Sequence, residues 1–222
     1  MDLHTAGHRQ GVVAAPHHAA VEAGRATLAA GGNALEAMVA MAATIAAVYP
    51  HMTQIGGDGF WLVHEPSGRV RALLAPGRAG ANARPELYRE YETIPPRGPL
   101  AVLTVPGAIS GWMLALEAAH AQGARLPLPD LLGPAIRHAK DGYTVTRSQA
   151  RLTAEKLAEL KDVPGFAQTF LVDVARPMPA RPSSNQRSPQ RSIISPMPGS
   201  TITTAAMSHA RSPAILTASA AR

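Results

Sequence analysis

Apolar strand-like runs followed by helical patterns, with one hairpin among them, predict an α+β or layered α/β domain. Three observations carry this reading. Ten residues, Pro50 to Gly59, join an almost wholly apolar helix-like run to the strand-like Phe60–His64. Two strand-like runs, Phe60–His64 and Arg69–Leu74, flank the turn residues Glu65-Pro66-Ser67-Gly68, which predicts a β-hairpin. Near Val172–Ala175 the chain loses acidic residues and helical period together.

The elements follow in order. Gly11–Ala15 reads as a short apolar strand, broken by Pro16. His18–Ala30 is helical, with Ala19, Val21, Ala23, Ala26, Leu28 and Ala29 available for packing, and Gly31-Gly32 end it. Asn33 with Glu36 three residues on forms a capping-box pattern, opening an apolar helix that runs to about Val48 and carries Leu35, Met38, Val39, Met41, Ile45 and Val48. Gly56, Gly57 and Gly59 let the joint turn with positive φ or approach another segment closely. Beyond the hairpin, Ala75–Asn82 is a loop, Pro85–Tyr91 a short helical piece, Pro95–Pro99 irregular and Leu100–Val105 a strand. Helices are expected over Ala108–Ala121, Asp130–Ala139 and, capped by Ser148, Gln149–Lys161. The domain therefore spans residues 11–172, after a flexible segment 1–10. Residues 173–222, rich in Pro, Ser, Arg and Thr, have too little apolar surface to offset ordering entropy and are expected to be a disordered tail.

Composition excludes several classes. There are 222 residues, 46% of them apolar, and no cysteine, so disulfides and thiol chemistry are ruled out. The N-terminus has no apolar stretch of signal-peptide type. The longest apolar run, Ala37–Tyr49, falls short of the about 20 residues a bilayer requires. A soluble, cytoplasmic protein with no membrane contact is expected. The net charge of +6 is misleading as a whole-chain number, because all 15 Asp and Glu lie at or before Asp173 while six of the 21 Lys and Arg lie after it. The 15 remaining cations balance the 15 anions. The tail arginines lack interleaved aromatics, so nucleic acid is not the expected partner.

Six segments in register resemble the N-terminal part of the γ-glutamyltransferase large subunit. They are Gly11–Ala15 with His17 and Ala23-Gly24; Gly31–Ala37; the Pro50–Phe60 joint; Leu103–Gly111; Leu126-Pro127 with Pro134–Ile136; and Ala139–Tyr143. The resemblance implies an N-terminal-nucleophile hydrolase with an αββα sandwich, of which this chain would hold a part. It implies γ-glutamyl transfer or hydrolysis in glutathione metabolism. A threonine freed by self-cleavage would act as nucleophile, main-chain N–H groups would stabilise the oxyanion, and no metal or organic cofactor would be needed. The implied partners are a small-molecule γ-glutamyl substrate and a complementary small-subunit chain.

Two departures matter. The self-cleavage signature is Thr-Thr-His, yet Thr203-Thr204 precede Ala205-Ala206 and no Thr-His pair occurs in the chain. No residue is therefore assigned as catalytic, and a truncated chain, inactive alone, is expected. A shift of reading frame near Asp173 would produce such a change of character. The family's substrate-binding arginine lies in "R-E-x-A-P"; here the loop reads Pro76-Gly77-Arg78-Ala79-Gly80, without the glutamate. Arg78 is the candidate substrate-binding residue, through the fork geometry that suits a carboxylate; a solvated loop arginine is the competing reading. His17, His18 and His51 match no metal-ligand spacing and read as helix-start and joint packing. Asp58 reads as a turn-stabilising side chain or one facing a site. Thr104 occupies a family loop position without a chemical reason to be catalytic. The alternative function is a non-catalytic remnant, or a binder of anionic polymers through the basic tail. Apolar surface on Phe60–Val63 would lack cover without the rest of the sandwich, so poor solubility is expected.

Overall fold

The structure is a computed structural model that describes residues 11–97, 100–101, 104–173 and 176–177. Segment 1–10 and the tail beyond Pro177 lie outside the described residues. The described chain is a set of helices with two small antiparallel sheets, dividing into two units. One comprises the residues up to Gln54 and those from Leu116 on; the other runs from Ile55 to Ala115.

The first unit opens with α1 (His18–Ala29) and α2 (Ala34–Val48). The face α1 buries is made of small residues, Ala19, Ala20, Ala23, Gly24 and Thr27, whereas Ala26 and Ala29 are exposed. The expected packing face is thus rotated, because α2 comes close enough that a Cβ on Gly24 would strike the Met41 side chain. Gly31, with φ +87°, terminates α1 as expected. The capping box is complete. The Asn33 side chain accepts from the N–H groups of Leu35 and Glu36, and Asn33 N–H donates to Glu36 Oε2 at 2.9 Å. Met38 is exposed despite its place in the apolar run.

In the same unit α2 packs on α1 and on α4 (Leu128–Asp141). Helix α5 (Arg147–Leu160) is capped by Thr146, whose Oγ1 accepts from Gln149 N–H, and not by Ser148. The Ser148 hydroxyl is instead engaged by Tyr49 OH and Thr146 Oγ1, both at 3.0 Å. Two elements were not foreseen: α6 (Phe166–Phe170), and a pairing of β3 (Leu171–Asp173) with β4 (Arg176–Pro177). The last reaches into the segment expected to be disordered. Gly11–Ala15 forms neither a strand nor a helix among the described residues. It lies along α1, with Gly11 beside Leu28 and Val13 beside Gly24.

The second unit holds the hairpin β1 (Gly59–His64) and β2 (Val70–Ala75), in register from Gly59↔Ala75 to His64↔Val70. Gly68, at φ +84°, supplies the left-handed turn residue. A 3₁₀ turn, Pro85–Tyr88, stands where a longer helical piece was expected. The start of α3 (Ala108–Ala121) lies against the inner hairpin face, with Gly111 beside Trp61 and Ala75. Leu73, Ala75, Ala108, Ile109 and Trp112 are buried in this unit. Of the expected strand Leu100–Val105, the described residues show an isolated bridge, Thr104↔Ala79; residues 102 and 103 lie outside the described residues.

Candidate functional site

The glycine joint, the loop after β2 and the approach to α3 meet in the second unit. None of Gly56, Gly57 and Gly59 has positive φ, so the turn expected there is made without left-handed backbone. The joint instead serves α3. Gly57 C=O accepts from Gly107 N–H at 3.0 Å and Ala108 N–H at 2.9 Å, which satisfies donors that a helix start leaves without intrahelical partners. A close approach is made at two other glycines. A Cβ on Gly77 would land on the Val105 carbonyl oxygen, and one on Gly107 would land on the Ala75 carbonyl oxygen.

Asp58 does not stabilise its own turn. Its Oδ1 accepts from Gly77 N–H at 2.8 Å, across nineteen residues of sequence. One residue on, Arg78 C=O accepts from Val105 N–H at 2.8 Å. The backbone on both sides of the Gly77–Arg78 peptide is therefore held, while the Arg78 side chain is exposed and has no ion-pair partner among the described residues. An immobilised backbone bearing an unengaged guanidinium is suited to accepting a carboxylate from solution. Beside it, residues 80–83 with Leu87, Thr104 and Val105 line an open cleft of about 280 Å³. Thr104 is exposed at its edge. Neither Asp58's reach nor the cleft was legible beforehand, since both depend on segments distant in sequence.

The remaining candidates are in the first unit. His17 is the N-cap of α1. His51 lies against the Tyr49 ring, centroids 4.1 Å apart, with both ring nitrogens buried and without hydrogen-bond partners. Burial lowers the pKa of both histidines below the ordinary 6.5, and in His17 the neighbouring His18 and His138 add to the effect. Burial also pushes the Tyr143 phenol up to about 12. Among the described residues no three or more His, Asp or Glu cluster as metal ligands, and no helix is long and apolar enough to cross a membrane. Thr203 and Thr204 lie outside the described residues.

The family model described as Gamma-glutamyltranspeptidase matches residues 20–186. An oxamate amidohydrolase proenzyme of Klebsiella pneumoniae is 50% identical over 180 residues, covering 81% of this chain and 34% of the relative. A glutathione hydrolase-like proenzyme of Bacillus subtilis is 38% identical over 169 residues, covering 76% of this chain and 31% of the relative. The chain thus spans only about a third of the length of these relatives. Among solved structures, Helicobacter pylori gamma-glutamyltranspeptidase superposes with a TM-score of 0.69 at 27% identity, over 80% of this chain and 51% of that one.

Proposed function

The chain belongs to the gamma-glutamyltranspeptidase family, and on that premise we propose that it is the N-terminal, substrate-anchoring portion of an amide-cleaving enzyme. Arg78 takes the substrate carboxylate, and the nucleophilic threonine comes from another polypeptide segment. The observation that carries the reading is the doubly held backbone at Gly77–Arg78 with its exposed, unengaged guanidinium.

Two substrates fit a single guanidinium anchor, since both carry a carboxylate and an amide: a γ-glutamyl compound, and oxamate, for which the Klebsiella relative is named. The absence of a glutamate after Arg78 leaves the guanidinium without an acidic neighbour in sequence, which favours the smaller, wholly anionic substrate. The test is to mix the chain with a second chain that supplies the remaining part of such an enzyme, including the segment with the N-terminal threonine. Ammonia release from oxamate and anilide cleavage from a γ-glutamyl anilide are then measured. Arg78→Ala should raise KM about tenfold or more with a smaller change in kcat, and Arg78→Lys should restore part of the loss. An unchanged KM in Arg78→Ala would remove the anchor. Turnover by the chain alone, surviving substitution of every tail threonine, would remove the requirement for a second segment.

The same reading includes the αββα sandwich. One face of the hairpin carries Phe60 at 67% and Leu62 at 79% exposure, with Val70 and Leu74 on the paired strand also exposed. A second sheet would cover this face. By itself the chain should aggregate, and Leu62→Thr should raise soluble yield while changing stability by less than about 0.5 kcal/mol. A cytoplasmic location belongs to the same proposal, and cell fractionation tests it.

A further inference from the structure

His17 caps α1 with a geometry that works only while its ring is neutral. It is 4% exposed. Its Nδ1 accepts from Ala19 N–H at 3.1 Å, closing the N-terminus of α1. A nitrogen that accepts carries no proton, so the single ring proton of the neutral form sits on Nε2. That nitrogen lies 3.4 Å from Thr144 C=O, in the connection between α4 and α5, and donates to it. One imidazole thus ties the start of α1 to a segment 127 residues away.

Protonation undoes this arrangement from one side. The imidazolium carries N–H on both nitrogens, so Nδ1 would present a proton to the Ala19 N–H it now serves. The new charge would also sit at the positive end of the α1 dipole. Thr144 C=O favours the charged ring, but the other groups bearing on it offer no relief. His18 of α1 stacks on the ring at 4.6 Å, Tyr143 meets it edge-on at 6.5 Å, and His138 of α4 repels a charge there. Tyr143 OH is itself engaged with Gln149, receiving Nε2–H at 3.1 Å. Among the described residues no carboxylate acts on His17.

We propose that His17 is an acid-operated latch: neutral, it fastens the first turn of α1 to the α4–α5 connection, and protonated, it lets go of the α1 turn while Nε2–H stays on Thr144 C=O. The direction of its pKa agrees. A histidine held below 6.5 in the folded chain binds fewer protons there than in the unfolded chain. Its contribution to stability is therefore complete above the unfolded value and is lost as pH falls through 6.5 toward the folded value.

The test uses the full chain labelled with ¹⁵N. At pH 8 the ring shifts of His17 should report the Nε2–H tautomer. On lowering the pH to 5, the Ala19 amide should exchange about tenfold faster after correction for intrinsic rates, following the His17 titration. His17→Asn keeps an N-cap acceptor without an ionisable ring, so it should flatten the fall of Tm between pH 7.5 and 5. His51→Gln should leave the His17 part of that fall in place. An Nδ1–H tautomer at pH 8, or an Ala19 amide indifferent to the titration, overturns the proposal, and neither reading needs a variant to fold. A His17→Asn chain with the wild-type pH slope overturns it as well.

Discussion

Gly77 N–H donates to Asp58 Oδ1 at 2.8 Å, joining the glycine joint to the loop that carries Arg78. The bond is solvent-exposed, so its worth to global stability is at the low end of about 0.5–1.5 kcal/mol. Its local effect is larger. Asp58→Ala should free the Gly77 amide, raising its hydrogen exchange while Tm moves little. Asp58→Asn keeps a side-chain oxygen in place and should retain most of the protection. Equal protection in wild type and Asp58→Ala would show that the loop is held by the Arg78–Val105 bond alone.

The glycines of this region differ sharply in what they tolerate. Gly77→Ala and Gly107→Ala each drive a methyl onto a backbone carbonyl oxygen, of Val105 and Ala75 respectively. Backbone yields less readily than a side chain, so each should cost about 3 kcal/mol or more. Gly56 has open space around it and no positive φ. Gly56→Ala should be neutral or stabilising by up to about 1 kcal/mol, through the lower entropy of the unfolded chain. Denaturant midpoints of the three variants provide the comparison.

Glu36 is 1% exposed, and both its oxygens are used: Oε2 by Asn33 N–H and Oε1 by Leu126 N–H at 2.8 Å. Glu36→Ala leaves two part-buried donors without acceptors and should cost about 2–5 kcal/mol. Glu36→Gln offers only one acceptor oxygen and should fall between that and wild type. A loss no larger than the about 1 kcal/mol typical of a single helix cap would mean that the Leu126 contact contributes nothing.

His51 buries two ring nitrogens without partners, and burial lowers its pKa. The folded chain then binds fewer protons at this site than the unfolded chain, so stability falls as pH drops below 6.5. His51→Phe removes both the unpaired nitrogens and the titration. Its Tm relative to wild type should rise as the pH goes from 8 to 5. A difference independent of pH would show that His51 does not titrate on unfolding.

What the sequence determined by itself was whatever depends on near neighbours. The Asn33–Glu36 box, the Gly31 stop and the hairpin turn at Gly68 all rest on residues within one turn of each other, where local chemistry decides. Arg78 could be singled out because its loop stands at a recognisable place in an ordered set of motifs. Tertiary structure decided the rest. Thr146 displaced Ser148 as a cap, and Tyr49, just past the end of α2, engages Ser148. Gly11–Ala15 failed to become a strand because it lies along α1 and a strand requires a partner to pair with. Gly56 and Gly59 proved less constrained than Gly77 and Gly107, since close approach is a property of two segments together. Asp58 anchors the Arg78 loop rather than its own turn for the same reason: a hydrogen bond across nineteen residues leaves no periodicity to read.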